Sequence, residues 1–74
     1  MTHNFEYTAI ITREENGYTS LCPELDIASQ GSTVEEARTY LIEAIELFLA
    51  TADLTEIIRR SSEEILVTRI QVSV

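Results

Sequence analysis

Seventy-four residues, 45% hydrophobic and 24% charged with two glycines and one proline, describe one packed domain rather than a disordered or multidomain chain. Thirteen acidic residues against five arginines give a formal charge of −8. Phosphate binding draws on counterion release by Lys and Arg, so this field disfavours direct nucleic-acid binding and suits a basic protein partner.

Cys22 is the single cysteine, which excludes an internal disulfide, and it directly precedes Pro23 as a small buried hydrophobe would at a strand end. Met1-Thr2-His3-Asn4 lacks the charged and apolar segments of a signal peptide. The longest apolar stretch, residues 47–50, is far too short for a membrane span. A cytoplasmic location with no membrane contact is the resulting expectation.

Residues 5–13, FEYTAIITR, put Phe5, Tyr7, Ala9 and Ile11 on one face and Glu6, Thr8 and Thr12 on the other, the period of a first strand. Glu14-Glu15-Asn16-Gly17 follows, and Asn-Gly predicts a type I′ hairpin turn because both residues tolerate positive φ. A second strand covers residues 18–22. Pro23, with no N–H to donate, ends it or opens a bulge. Residues 25–30 read as a third strand that stops at Gly31.

Ser32-Thr33-Val34-Glu35-Glu36 holds Ser-x-x-Glu and, one residue on, Thr-x-x-Glu. Either register sets a hydroxyl acceptor at the N-cap and a carboxylate three residues later, so a long helix is predicted from Thr33 or Val34 to about Thr51. Val34, Ala37, Leu41, Ala44, Ile45 and Phe48 share one face, with Glu35, Glu36, Glu43 and Glu46 opposite. Tyr40, Ile42, Leu47 and Leu49 widen the apolar sector to about 220° at 100° per residue, roughly twice what one sheet face covers. The surplus calls for the C-terminal segment, a second subunit or a partner, and a homo-oligomer, dimer or tetramer, is expected.

Asp53 predicts the cap of a short second helix, residues 54–60, closed by Ser61-Ser62. Residues 65–74, ILVTRIQVSV, alternate again: Leu66, Ile70, Val72 and Val74 face one way, and Arg69, Gln71 and Ser73 the other. The expected fold is α+β in the order β-β-β-α-α-β. A three-stranded antiparallel meander, a long helix on one sheet face, a short helix and a C-terminal fourth strand make up a single domain over residues 1–74. A right-handed crossover would lay the fourth strand parallel to the first.

The ordered set of Tyr7-Thr-Ala-Ile-Ile-Thr, Asn16-Gly17-Tyr18, Leu21-Cys22-Pro23-Glu24-Leu25, Ser29-Gln30-Gly31, Thr33-Val34-Glu35-Glu36-Ala37 and Glu43-Ala44-Ile45-Glu46 resembles HicB-family antitoxins over residues 5 to about 50. The resemblance implies a fold like a degraded ribonuclease H domain and a partner of the HicA type, a small basic toxin that cleaves messenger RNA and is neutralised when its active surface is covered. It also marks two departures. Asp26-Ile27 stands where the family often carries Pro-Gly, and the C-terminal DNA-binding segment that many HicB proteins have is not expected after residues 65–74.

Candidate partner contacts are the acidic Glu14, Glu15, Glu24 and Asp26, with Tyr18 as an aromatic anchor. The alternative is an orphan HicB-like structural or regulatory homo-oligomer with no toxin. Catalysis is not expected, and no cofactor or metal is implied. Two-metal cleavage needs converging carboxylates, and while Glu6 and Glu43 or Glu46 are conceivable donors, residues 65–74 contain no Asp or Glu. His3, the lone histidine, has no nucleophile with which a dyad could be argued.

Overall fold

The computed structural model describes residues 5–74, so His3 lies outside the described residues. The elements run β1 (Ile10–Glu14), β2 (Gly17–Cys22), β3 (Ile27–Gly31), α1 (Val34–Thr51) and α2 (Leu54–Ser61). The strands form an antiparallel meander in the order β1-β2-β3, with Ile10 opposite Leu21 and Tyr18 opposite Gly31 fixing the two registers. Three strands and two helices make an open α+β sheet, as the alternation of residues implies. Among the described residues, no helix is long and apolar enough to cross a membrane.

Both helix starts follow from their capping side chains. Thr33 wins over Ser32 as the cap of α1: its hydroxyl accepts from the Glu36 amide at 3.0 Å, and the Glu36 carboxylate accepts from the Ser32 amide at 3.0 Å. Asp53 caps α2 by accepting from the Thr55 amide at 2.8 Å.

The helix can lie close to the sheet because the facing residues are small. Ser20 is buried on β2 and donates its hydroxyl to the Ala37 carbonyl at 2.8 Å, and Ala37 is fully buried. A Cβ on Gly31 would stand 2.5 Å from the Ala37 nitrogen and 2.6 Å from the Glu36 Cβ. Only a residue without a side chain lets the first turn of α1 settle on the end of β3. Behind this contact Cys22, Leu25 and Leu41 form the core, with Tyr7, Ile27, Ile45 and Phe48 packed around it. The helix covers β3 most and β1 least, so the β1 side of the sheet is the thinly covered one.

Arg60, which sequence periodicity does not single out, ties α2 down. Its guanidinium donates to the Leu25 carbonyl at 2.9 Å and to Glu56 at 2.7 Å, and it lies 5.5 Å from the centre of the Phe48 ring. The Tyr7 and Ser61 hydroxyls share a 2.6 Å hydrogen bond that brings the end of α2 beside the chain segment leading into β1.

Four expectations need correction. The first strand is shorter than residues 5–13, because β2 ends at Cys22 before Pro23 and leaves residues 5–9 without a ladder on that side. The hairpin closes at the Glu14 and Gly17 pair, so Glu15-Asn16 are the loop residues; Gly17, not Asn16, takes positive φ, and no type I′ turn forms. The third strand begins at Ile27 instead of residue 25: Leu25 turns into the core and Asp26 adopts a left-handed φ of 55°. Residues 65–74 form no strand within the single chain: from Leu66 onward every residue is exposed, and β1, the strand they were expected to join, keeps its outer edge open.

Two substitutions probe this framework. Gly31→Ala is expected to cost about 1–3 kcal/mol by pushing α1 off β3. Arg60→Ala should cost a similar ~1–3 kcal/mol by leaving the Leu25 carbonyl without its donor. Urea unfolding followed by circular dichroism at fixed protein concentration checks both.

Candidate functional site

The five residues picked from the sequence divide between the two ends of β2. At the hairpin end, Glu14 and Glu15 reach the close of β1 and the loop, and Tyr18 follows on β2. These three line a shallow cleft of about 600 Å³ whose far wall is Glu36 and Tyr40 from the first two turns of α1. Glu14, Glu15, Glu36 and Tyr40 are exposed, and Tyr18 is half-buried. The cleft therefore offers three carboxylates and two aromatic rings to a partner, with no basic side chain in its lining. The Thr19 hydroxyl donates to Glu14 at 3.5 Å, which aims that carboxylate along the strand.

Sequence reasoning did not assign Glu36 or Tyr40 to this surface. Glu36 was absorbed by its capping role and Tyr40 by the apolar stripe. The signal available was the shortness of the Gly31-Ser32-Thr33 connection, which holds the start of α1 next to the hairpin.

Glu24 and Asp26 sit at the opposite end of β2, about 20 Å away along a six-residue strand. Glu24 is half-buried and accepts from the Thr8 amide and the Thr8 hydroxyl, both at 2.8 Å, and from the Cys22 thiol at 3.6 Å. Burial pushes its carboxyl up, but its own amide, the Thr8 pair and the Cys22 thiol hold it below the ordinary value of 4.5. Burial, reinforced by the Glu24 charge, raises the Cys22 thiol in turn, so it stays a protonated donor in the core. Glu24 is thus a clasp between the β2–β3 turn and the segment before β1, while Asp26 is exposed on that turn.

A second groove, about 770 Å³, runs between residues 5–9 and α1. Tyr7, Leu41, Ile45 and Leu49 give it an apolar floor, and Glu6, Glu24 and Glu46 line it with Arg38 as the one basic residue. Glu6 and Glu46, weighed as metal donors, do meet in this lining; Glu43 does not. Among the described residues no group of three potential ligands is placed to hold a metal ion.

Over 66 residues the chain is 35% identical to a UPF0150 protein of Helicobacter pylori strain J99, an alignment spanning 88% of this chain and 92% of that one. The chain belongs to the UPF0150 family. UPF0150 is a HicB-like family, in agreement with the resemblance carried by residues 5 to about 50. No protein-family model matches the UPF0150 chain, and no solved structure does.

The clasp predicts a pH dependence. A carboxyl whose folded value is lowered contributes stability above its unfolded value and loses it as pH falls through the folded one. E24Q should therefore unfold at lower urea than the parent protein near pH 7, and the gap should close below about pH 4.5. A gap that stays constant down to about pH 3 would contradict the ionised clasp.

Proposed function

We propose that this UPF0150 chain is an antitoxin-type HicB-like protein that binds and neutralises a small basic, mRNA-cleaving toxin of the HicA type. The observation that carries the reading is the hairpin-end cleft, lined by Glu14, Glu15 and Glu36 together with Tyr18 and Tyr40, with no basic side chain among the lining residues. A basic surface would meet carboxylates that steer and orient it and rings that supply contact area. The −8 charge of the whole chain acts in the same direction at longer range.

The same reading brings a degraded ribonuclease H-like architecture, in which residues 65–74 complete the sheet as a fourth strand beside β1. It also makes the chain a binding module with no chemistry of its own, neutralising a nuclease by covering it.

Co-expression with a small basic HicA-like protein from the same genome tests the reading. The expected result is a complex that co-purifies and growth that recovers. Glu14→Arg with Glu15→Arg should weaken the complex at least about tenfold, by placing like charges against the partner, whereas Glu43→Arg, outside the cleft, should leave it unchanged. No complex and no recovery would remove the antitoxin reading.

A second reading, an orphan HicB-like structural or regulatory homo-oligomer, is favoured by the apolar surface left uncovered on α1, where Leu47 is 69% exposed and Tyr40 and Ile42 are exposed as well. It predicts self-association with no bound toxin under the same co-expression.

A further inference from the structure

We propose that residues 65–74 leave one copy of the chain and lie as a fourth strand along β1 of a second copy, each copy lending its segment to the other about a two-fold axis. This goes beyond partner binding by the hairpin-end cleft and stands whether or not a toxin is present.

The segment has the composition of a strand and the surroundings of none. Leu66, Ile70, Val72 and Val74 alternate with Val67, Arg69, Gln71 and Ser73, yet from Leu66 onward every residue is exposed, Leu66 at 80% and Ile70 at 82%. Beyond Glu63, its backbone makes no hydrogen bond to the rest of the chain among the described residues. Ten residues rich in β-branched side chains, with unpaired amides and carbonyls, are a template for pairing with another strand.

The molecule's shape shows that the segment reaches outward. Its radius of gyration is 14.2 Å and its longest extent 49 Å, whereas a compact domain of this length has a radius of about 11 Å. The Tyr7–Ser61 hydrogen bond places the exit from α2 beside the start of this copy's own β1 edge, and the chain nonetheless does not turn to run along it. A short hinge, Ser62-Glu63-Glu64, separates the docked helix from the outgoing segment. A segment with strand alternation beyond a short hinge, with an open edge left on the same chain, is the arrangement that reciprocal strand exchange requires.

The receiving surface matches in length, polarity and charge. At about 3.3 Å per residue a ten-residue strand spans about 33 Å, the length needed to flank residues 5–14 in full. β1 is a sheet edge, and the groove beside it has Tyr7, Leu41, Ile45 and Leu49 for an apolar strand face to fill. Arg69 is the sole charged side chain among 65–74, giving the segment +1, while the other 64 residues hold thirteen acids and four arginines, a net −9. Glu6, Glu24 and Glu46 of the groove lining put part of that negative charge where the segment would lie.

Two measurements on the whole chain decide the matter. Light-scattering chromatography should give a dimer, or an assembly of dimers. Refolding isotope-labelled with unlabelled chain should then show nuclear Overhauser contacts between copies, from the methyl groups of Ile70 and Val72 to Tyr7 and Ile45. The double variant I70E/V72E should raise the dimer dissociation constant by about 100-fold or more while keeping the helical circular dichroism of α1. A monomer at about 100 μM, a dimer whose segment touches only its own chain, or a dimer whose segment touches nothing would each overturn the proposal. Should I70E/V72E fail to fold, the labelled mixture of unaltered chains still separates exchange from closure.

Discussion

The seating of α1 on the sheet rests on three small residues, Ser20, Gly31 and Ala37, and it fixes both where the core lies and where it runs out. Because Gly31 admits the first turn of the helix and the Ser20 hydroxyl holds the Ala37 carbonyl, α1 is drawn toward β3. Leu41 and, beyond it, Ile45 and Phe48 then close over Cys22 and Leu25. The cost of that placement is borne on the other side: β1 is left with little cover, and a groove opens between residues 5–9 and the helix. Among the described residues the buried hydrophobics are Cys22, Leu25, Ala37, Leu41 and Ile57, a small interior for a chain of this size.

Both surfaces with functional interest follow from this one contact. At the hairpin end, the same short connection that seats α1 brings Glu36 and Tyr40 against Glu14, Glu15 and Tyr18. At the β1 side, the helix's distance leaves an apolar floor and an open strand edge. Arg60 and the Tyr7–Ser61 hydrogen bond dock α2 so that residues 65–74 set out from beside that edge. The two linings share no residue.

Much of this was legible in the residues. Thr33-x-x-Glu36 and Asp53 mark the two helix starts, Pro23 marks the end of β2, and the excess apolar width of α1 foretells surface that a single chain does not cover. What sequence could not give depends on contacts between distant segments. Glu24 looked like one more surface acid and is a clasp, because Thr8 lies sixteen residues away in sequence and 2.8 Å away in space. Asp26 gave no sign that it would take the left-handed backbone, whereas Asn-Gly pointed to Gly17, where the Gly31 carbonyl stands 2.6 Å from the place of a Cβ. Residues 65–74 alternate as a strand does and yet form none in the single chain, because alternation reports that a segment suits a ladder and does not supply the neighbour.

Membership of the UPF0150 family, a HicB-like family, does not fix a partner. The central physical claim is that residues 65–74 are completed by another polypeptide. Amide hydrogen exchange across a dilution series measures this most directly. The account predicts that amides of residues 66–73 are protected at high protein concentration and lose protection together as the chain is diluted, while those of α1 near Leu41 change less. Exchange of 66–73 at unprotected rates at every concentration, or protection that does not depend on concentration, would contradict it.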